Sequence, residues 1–205
     1  MRLYYHPRSS SVRRVLLTAR HLGTELELVD IDLLDPADRQ RLEELNPNSK
    51  IPVLEDAGFV LWESCAIMQY LADRTPGQTL YPQNVRDRAD VNRWLFWTCQ
   101  HFSPALSVFT WENVWKKLVM GAGADPAELA RAERELAPLA QLLEDHLSRR
   151  TWLVGHDVTL ADYAIAASLM YVERAHVPLA RYPRIVAWLG RVQALEPWQE
   201  TDVAW

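Results

Sequence analysis

Three serines in a row, Ser9, Ser10 and Ser11, follow the short aromatic run Leu3-Tyr4-Tyr5, which His6-Pro7 ends. A hydroxyl between a strand end and a helix start can do one of two things. It can accept a backbone N–H and cap the helix, or it can donate to an anion held at the positive end of that helix. A serine nucleophile is not indicated: His6 is near, but there is no G-x-S-x-G elbow and no evident triad acid. The position also lacks a C-x-x-C pair, so the chain supplies no redox dithiol there.

The second cluster is Ile51 to Ala66, IPVLEDAGFVLWESCA. An Ile-Pro bond at the head of an apolar run is either a trans strand start or a cis bond that exposes the backbone of Ile51. Glu63-Ser64 stands where a helix opens. The plain reading is a cap. The functional reading is that the Ser64 hydroxyl and nearby N–H groups receive a ligand carboxylate while Glu63 receives an ammonium, the two charges of an amino-acid end. Lys50, Arg39 and Arg41 flank the same stretch; they are either solvated surface charges or receivers of a second carboxylate. Cys65 reads as a small buried hydrophobe.

The third cluster is aromatic: Trp94, Phe96, Trp97, Phe102, Phe109, Trp111 and Trp115. Most of these belong in a helix core. Members fall on more than one face, so some are expected to meet a partner chain or line an apolar pocket.

The elements that must position these groups follow from periodicity. Leu3-Tyr4-Tyr5 predicts a strand. Val12, Val15, Leu16, Ala19 and Leu22 recur at helical spacing, and Gly23 is a stop. Residues 25–32 alternate, with Leu26, Leu28 and Ile31 expected inward. Asp35-Pro36 starts a polar, weakly helical stretch, and Asn46-Pro47-Asn48-Ser49 is a dense turn signal. A hairpin over 52–61 and a helix over 63–73 complete β-α-β-α-β-β-α by residue 76. PGQTLYPQN, residues 76–84, has the composition of a linker, and the linker is placed at 77–85. Beyond it no strand pattern is present. A long helical region over 86–120 is expected, with a kink at Pro104. A second helix runs from Asp125 to about 147, with Pro138 predicting a kink or break. Thr159-Leu-Ala-Asp162 is a capping box that opens an apolar helix to about 174, and a last amphipathic helix spans 183–195.

The bulk composition narrows the function classes. The chain has 205 residues, 49% hydrophobic and 24% charged, with a formal net charge of −5. That charge disfavours nucleic acid as the main partner. No apolar run approaches the ~20 residues that span a bilayer, and the first residues lack an apolar signal core. A cytoplasmic protein with no membrane partner is expected. Two cysteines, Cys65 and Cys99, are too few for a disulfide framework or a zinc site, so no metal is expected. Most of the nine Trp lie after position 90, which separates the two halves in composition.

Taken together, these motifs resemble a cytosolic glutathione transferase over essentially the whole chain. YYHPRSSSVRRVLLTAR is similar to the opening of the serine-type phi, delta and theta classes. NPNSKIPVLED resembles the N-P-x-x-x-[VI]-P hairpin entry, ESCAIMQYLAD the E-S-x-A-I-x-x-Y-L helix start, and TLADYAIA the capping-box helix of the C-terminal domain. The resemblance implies a thioredoxin-like glutathione-binding domain over 1–76 and an all-helical domain over 86–205 that contributes the electrophile site. It implies that Ser9, or failing it Ser10, donates to the glutathione sulfur and favours the thiolate. Ile51, with Pro52 in cis, would exchange backbone hydrogen bonds with the cysteinyl part. Glu63 and Ser64 would hold the γ-glutamyl end, and Lys50 and Arg39 would meet the glycyl carboxylate. His101, Phe102, Ser103 and Trp111 would line the electrophile site. Glutathione is then the co-substrate, a small apolar electrophile the second substrate, and a homodimer the assembly.

The chain departs from the pattern in places. Cys65 stands where many delta-type relatives carry Arg, so one carboxylate contact is absent or comes from elsewhere. Ser11 replaces a Pro. No tyrosine-class signature and no beta-class cysteine is evident, which favours thiolate activation over mixed-disulfide chemistry. Three functions fit: conjugation of glutathione to an apolar electrophile, glutathione-dependent dehalogenation or disulfide reduction through the same thiolate, and a non-catalytic binding or regulatory protein of this fold. Ser9, Pro52, Glu63 and Ser64 together argue against the last.

Overall fold

Period-2 alternation along two short strands organises the first half of the chain. In the computed structural model, which describes residues 1–203, β1 (Arg2–Tyr5) and β3 (Val53–Asp56) lie side by side, antiparallel, with Leu3 opposite Leu54 and Tyr4 opposite Val53. Leu3 and Leu54 point to one face and pack with Val15, Ala19, Ile67 and Leu71. Tyr4 and Val53 point to the other and pack with Ile31 and Leu42. Successive residues thus build two cores, one on each face of the sheet.

The remaining elements follow from this. β2 (Glu27–Asp30) runs parallel to β1, β4 (Phe59–Trp62) antiparallel to β3, and the strand order is β2-β1-β3-β4. Helices α1 (Ser10–His21) and α3 (Ser64–Arg74) supply the apolar side chains of the first core, and α2 (Pro36–Leu45) supplies Leu42 to the second. The order is the thioredoxin-like β-α-β-α-β-β-α. The hairpin turn between β3 and β4 places Ala57 at φ 49° and Gly58 at φ 87°, a type I′ combination that matches strand twist. Leu28 is a correction: it is 42% exposed. β2 is an edge strand, and at that edge the helices leave Leu28 uncovered. Ile31 is buried on the opposite face, with Tyr4 and Val53.

The chain divides into two compact units, residues 1–81 with 194–205, and residues 82–193. The last short helix, α10 (Glu196–Glu200), belongs with the first unit, not with the helical domain to which the sequence reading assigned it. There Trp198 lies under the Arg13 guanidinium, 3.9 Å from ring centre to Cζ.

The second unit contains no strand. Helix α4 (Val85–Trp97) is capped by Asn84, whose side chain accepts from the amides of Arg86 and Asp87. It continues through a π turn (Thr98–Phe102) into α5 (Ser103–Thr110), then through a second π turn (Trp111–Trp115) into α6 (Lys116–Met120). Where a kink was expected at Pro104, the chain carries a π turn just before the proline. A proline ring crowds the carbonyl four residues earlier, and the wider turn just before it relieves that. Helix α7 (Pro126–His146) runs as one element through Pro138, so the predicted break does not occur. Helix α8 (Leu160–Ser168) ends earlier than expected and is buried along its whole length. Its capping box forms: the Thr159 amide donates to Asp162 Oδ2 at 2.9 Å, while Asp162 Oδ1 accepts from Leu153 N and Trp188 Nε1. Full burial pushes the Asp162 carboxyl up from its ordinary range, and these donors pull it back only in part. Helix α9 (Pro183–Gln193) closes the unit. Among the described residues no helix is long and apolar enough to cross a membrane, and no His, Cys, Asp and Glu side chains cluster as metal ligands.

Candidate active site

Ser9 occupies the N-cap of α1. Its Oγ accepts from Val12 N at 3.3 Å, and its own amide donates to His6 O at 3.0 Å, closing a turn after β1. A hydroxyl that accepts at the helix still has its proton to give. Of the two uses of Ser9, the cap is therefore realised, and it leaves the donor free to point away from the helix. Ser10 and Ser11 are the first residues of α1, and their amides have no acceptor inside the helix. No acidic side chain stands in that first turn, so nothing there cancels the positive end of the dipole.

Ile51 precedes a cis peptide bond to Pro52. It lies two residues before the first ladder residue of β3. Asn46 shapes the approach to it. This buried side chain donates from Nδ2 to Lys50 O at 2.7 Å and accepts at Oδ1 from Asn48 N at 3.0 Å and Asn48 Nδ2 at 3.2 Å. Ser49 takes φ 51° to complete the loop. The side chains of Lys50 and Arg39 are exposed and form no hydrogen bond or ion pair among the described residues. Arg41 is turned toward Tyr4, its Cζ 5.0 Å from the ring centre.

Glu63 stands at the N-cap position of α3 but makes no capping hydrogen bond, and its backbone sits at φ 72°, ψ 110°. The cap reading of Glu63-Ser64 therefore fails. A non-glycine residue held there costs roughly 1–3 kcal/mol. The Glu63 side chain is exposed, and Ser64 behind it is buried. Ser64 Oγ accepts from Arg14 Nη1 at 3.2 Å. Arg14 lies in the second turn of α1, so this bond ties the beginning of α1 to the beginning of α3. Two helix N-termini and one buried guanidinium face a common edge of the first unit. Such an edge suits an anion.

The other candidates lie in the second unit. His101 is exposed within the first π turn, and Trp111 opens the second, 42% exposed. Ser103 Oγ is 2.9 Å from Ser168 Oγ. Phe102 is fully buried and stacks on Trp97 at 5.1 Å. It is core, and the lining candidates contract to His101, Ser103 and Trp111.

The glutathione S-transferase N-terminal domain model matches residues 1–73, and the corresponding C-terminal domain model matches residues 107–196. The chain is 31% identical to glutathione S-transferase F10 of Arabidopsis thaliana over 205 residues, covering 97% of this chain and 94% of that protein. It is 34% identical to glutathione S-transferase D7 of Anopheles gambiae over 192 residues, covering 92% and 84%. Among solved structures, a delta-class glutathione transferase of Nilaparvata lugens superposes with a TM-score of 0.82 at 33% identity, covering 98% of this chain and 92% of that one. The chain belongs to the glutathione S-transferase family. It is an enzyme, a glutathione transferase.

Two residues of this transferase escaped the sequence reading. Asn46 sat inside a recognised turn signal, but turn composition does not say which side chain closes the turn. Arg14 was given no role from the sequence, where it merely flanks an apolar stripe, yet it is 4% exposed. Tyr4, within β1, donates its hydroxyl to Glu55 Oε2 at 2.9 Å.

Proposed function

We propose that this glutathione transferase conjugates glutathione to a small apolar electrophile, with the Ser9 hydroxyl donating to the sulfur and Ser10 as the alternative donor. The observation that carries the reading is the Ser9 geometry: its oxygen is engaged by Val12 N, its proton is unspent, and no acid stands in the first turn of α1. A thiol of pKa about 8.5 is mostly protonated at neutral pH. A hydrogen bond to the charged form and the helix dipole both lower that value. The cysteinyl backbone pairs at Ile51, beside cis Pro52. The γ-glutamyl end lies at Glu63 and Ser64, and the glycyl carboxylate meets Lys50 and, further out, Arg39. His101, Ser103 and Trp111 of the helical domain contact the electrophile. The assembly is a homodimer; Phe96 on α4, 63% exposed, supports an apolar contact there.

The test is the ultraviolet absorbance of bound thiolate against pH. Ser9→Ala raises the pH midpoint and lowers kcat/KM about 10- to 100-fold, the worth of a hydrogen bond to a charged group, while glutathione affinity changes little. Ser9→Thr, which keeps both hydroxyl and cap, recovers most of the loss. An unchanged midpoint in Ser9→Ala with a raised one in Ser10→Ala transfers the role. Turnover across halogenated, epoxide, isothiocyanate and peroxide substrates identifies the electrophile class.

A further inference from the structure

The end of α7 borders an open cavity of about 680 Å³ within the second unit. Ser148, Arg149, Arg150, Thr151 and His156 line it, with Asp145 and His146 at the close of the helix. Among the described residues the wall carries no apolar side chain. Basic residues at a helix C-terminus ordinarily answer its carbonyls. Here other donors do so: Asp145 O accepts from Ser148 Oγ at 2.6 Å, and Leu147 O accepts from Arg150 N at 3.4 Å. Arg149 and Arg150 are exposed, and their guanidiniums make no hydrogen bond or ion pair among the described residues. The Arg150 charge nevertheless reaches the wall. Burial lowers the His146 pKa most, the hydrogen bond to Leu153 O opposes it, and the Arg150 field lowers it further. Asp145, the acid of this wall, accepts from Gln141 Nε2 at 2.9 Å and pairs with neither arginine.

Two buried donors beside the wall lack an acceptor. Arg191 Nη2 donates to Thr151 O at 3.0 Å, but its Nε has no partner. Trp94 Nε1 has none either, and its ring centre lies 4.6 Å from that of His146. Buried donors in folded proteins are ordinarily satisfied. In a chain of net charge −5, this corner gathers cations and donors in excess of acids.

We propose that this cavity is a second ligand site, for a phosphate ester with a polar body, such as a sugar phosphate. Arg149 and Arg150 take the phosphate, whose oxygens match the guanidinium fork. Ser148, Thr151 and His156 hydrogen-bond the polar body. A bare phosphate fills only a small part of a cavity that has the size of a small-molecule pocket. The polar wall separates this site from one built for an apolar electrophile.

The test titrates ribose 5-phosphate, inorganic phosphate and ribose into the protein at saturating glutathione, and follows the backbone amide signals of Thr151, Gly155 and His156. The position of the shifts identifies the cavity whether or not glutathione is bound. Ribose 5-phosphate moves these signals saturably with a Kd at or below about 1 mM, and inorganic phosphate and ribose each bind at least about tenfold more weakly. Arg149→Gln combined with Arg150→Gln weakens ribose 5-phosphate about tenfold or more. Both side chains are exposed, so the double variant folds, and its KM for glutathione stays within about twofold. The proposal is overturned by the absence of a saturable shift with ribose 5-phosphate, or by equal affinity in the double variant. Inorganic phosphate binding as tightly as the ester reduces the cavity to a bare anion site, and ribose binding as tightly removes the phosphate from recognition; either result also overturns it.

Discussion

Under the proposed function, Asn46 and Ser9 would govern the site in two different ways. Ser9 would act through a proton and a dipole. Asn46 acts through shape, holding Lys50 O and Asn48 N so that Ile51 leaves the loop in one direction. Asn46→Ala takes this partner from the Lys50 carbonyl and the Asn48 amide, both on exposed residues, and the loss is about 0.5–1.5 kcal/mol for each hydrogen bond. We expect a lower urea midpoint and a raised KM for glutathione, with the thiolate midpoint of the bound complex unmoved. Asn46→Asp keeps the acceptor and loses the donor, and should fall between. A raised thiolate midpoint in Asn46→Ala would mean that the loop reaches Ser9 as well. The contrast also explains what could be read from residue types alone. Ser9, Glu63 and Ser64 carry chemistry in their functional groups and stand at element boundaries that periodicity locates. Asn46 and Arg14 owe their roles to burial. An arginine next to an apolar stripe looks the same on paper whether it faces water or Ser64.

At the scale of elements, the strands and helices of the first unit followed from period and punctuation, because Leu3/Tyr4 and Val53/Leu54 must face opposite ways. The π turns of the second unit did not. A single wider turn shifts a helix face without altering its apolar composition, so Phe102 could be taken for pocket lining when it is core. The second π turn has its own anchor. Glu112, buried on it, accepts from Lys116 Nζ at 2.7 Å and from Asp125 N at 2.7 Å, just ahead of α7. The Lys116 ammonium, then the Asp125 amide, hold its carboxyl below the usual carboxylate range. A carboxyl lowered in the folded state stabilises above its unfolded pKa of about 4.3, and that contribution is lost as pH falls through the lower folded value. The Asp125 amide shift should therefore titrate with a midpoint below about 4.3. In Glu112→Gln it should be flat with pH, and the fall in urea midpoint from neutral to acid should shrink. A midpoint at or above the ordinary value would remove Glu112 as the anchor.

For the whole molecule, the order of the chain and the order of its packing differ. The first unit is begun by residues 1–81 and finished only by 194–205. Arg13, on the helix that Ser9 caps, donates to Trp198 O at 3.2 Å and Asp202 Oδ1 at 3.1 Å, with the Trp198 ring against its guanidinium. Trp198 is 6% exposed. No local pattern in the sequence announces this pairing, because its partners stand 185 residues apart. Contacts of such separation form late, after loop closure has been offset by other contacts. Trp198→Ala removes a large buried ring and should cost about 3–5 kcal/mol, read as a lower urea midpoint. Trp198→Phe keeps an aromatic face for Arg13 and should recover more than half of that. Asp202→Ala, at an exposed partner, should cost under about 1 kcal/mol. Since α10 braces α1 and α1 carries Ser9, Trp198→Ala should also raise KM for glutathione in the protein that remains folded. A Trp198→Ala protein with unaltered midpoint and KM would make the terminal segment an appendage, and Arg13 would then be held by other contacts.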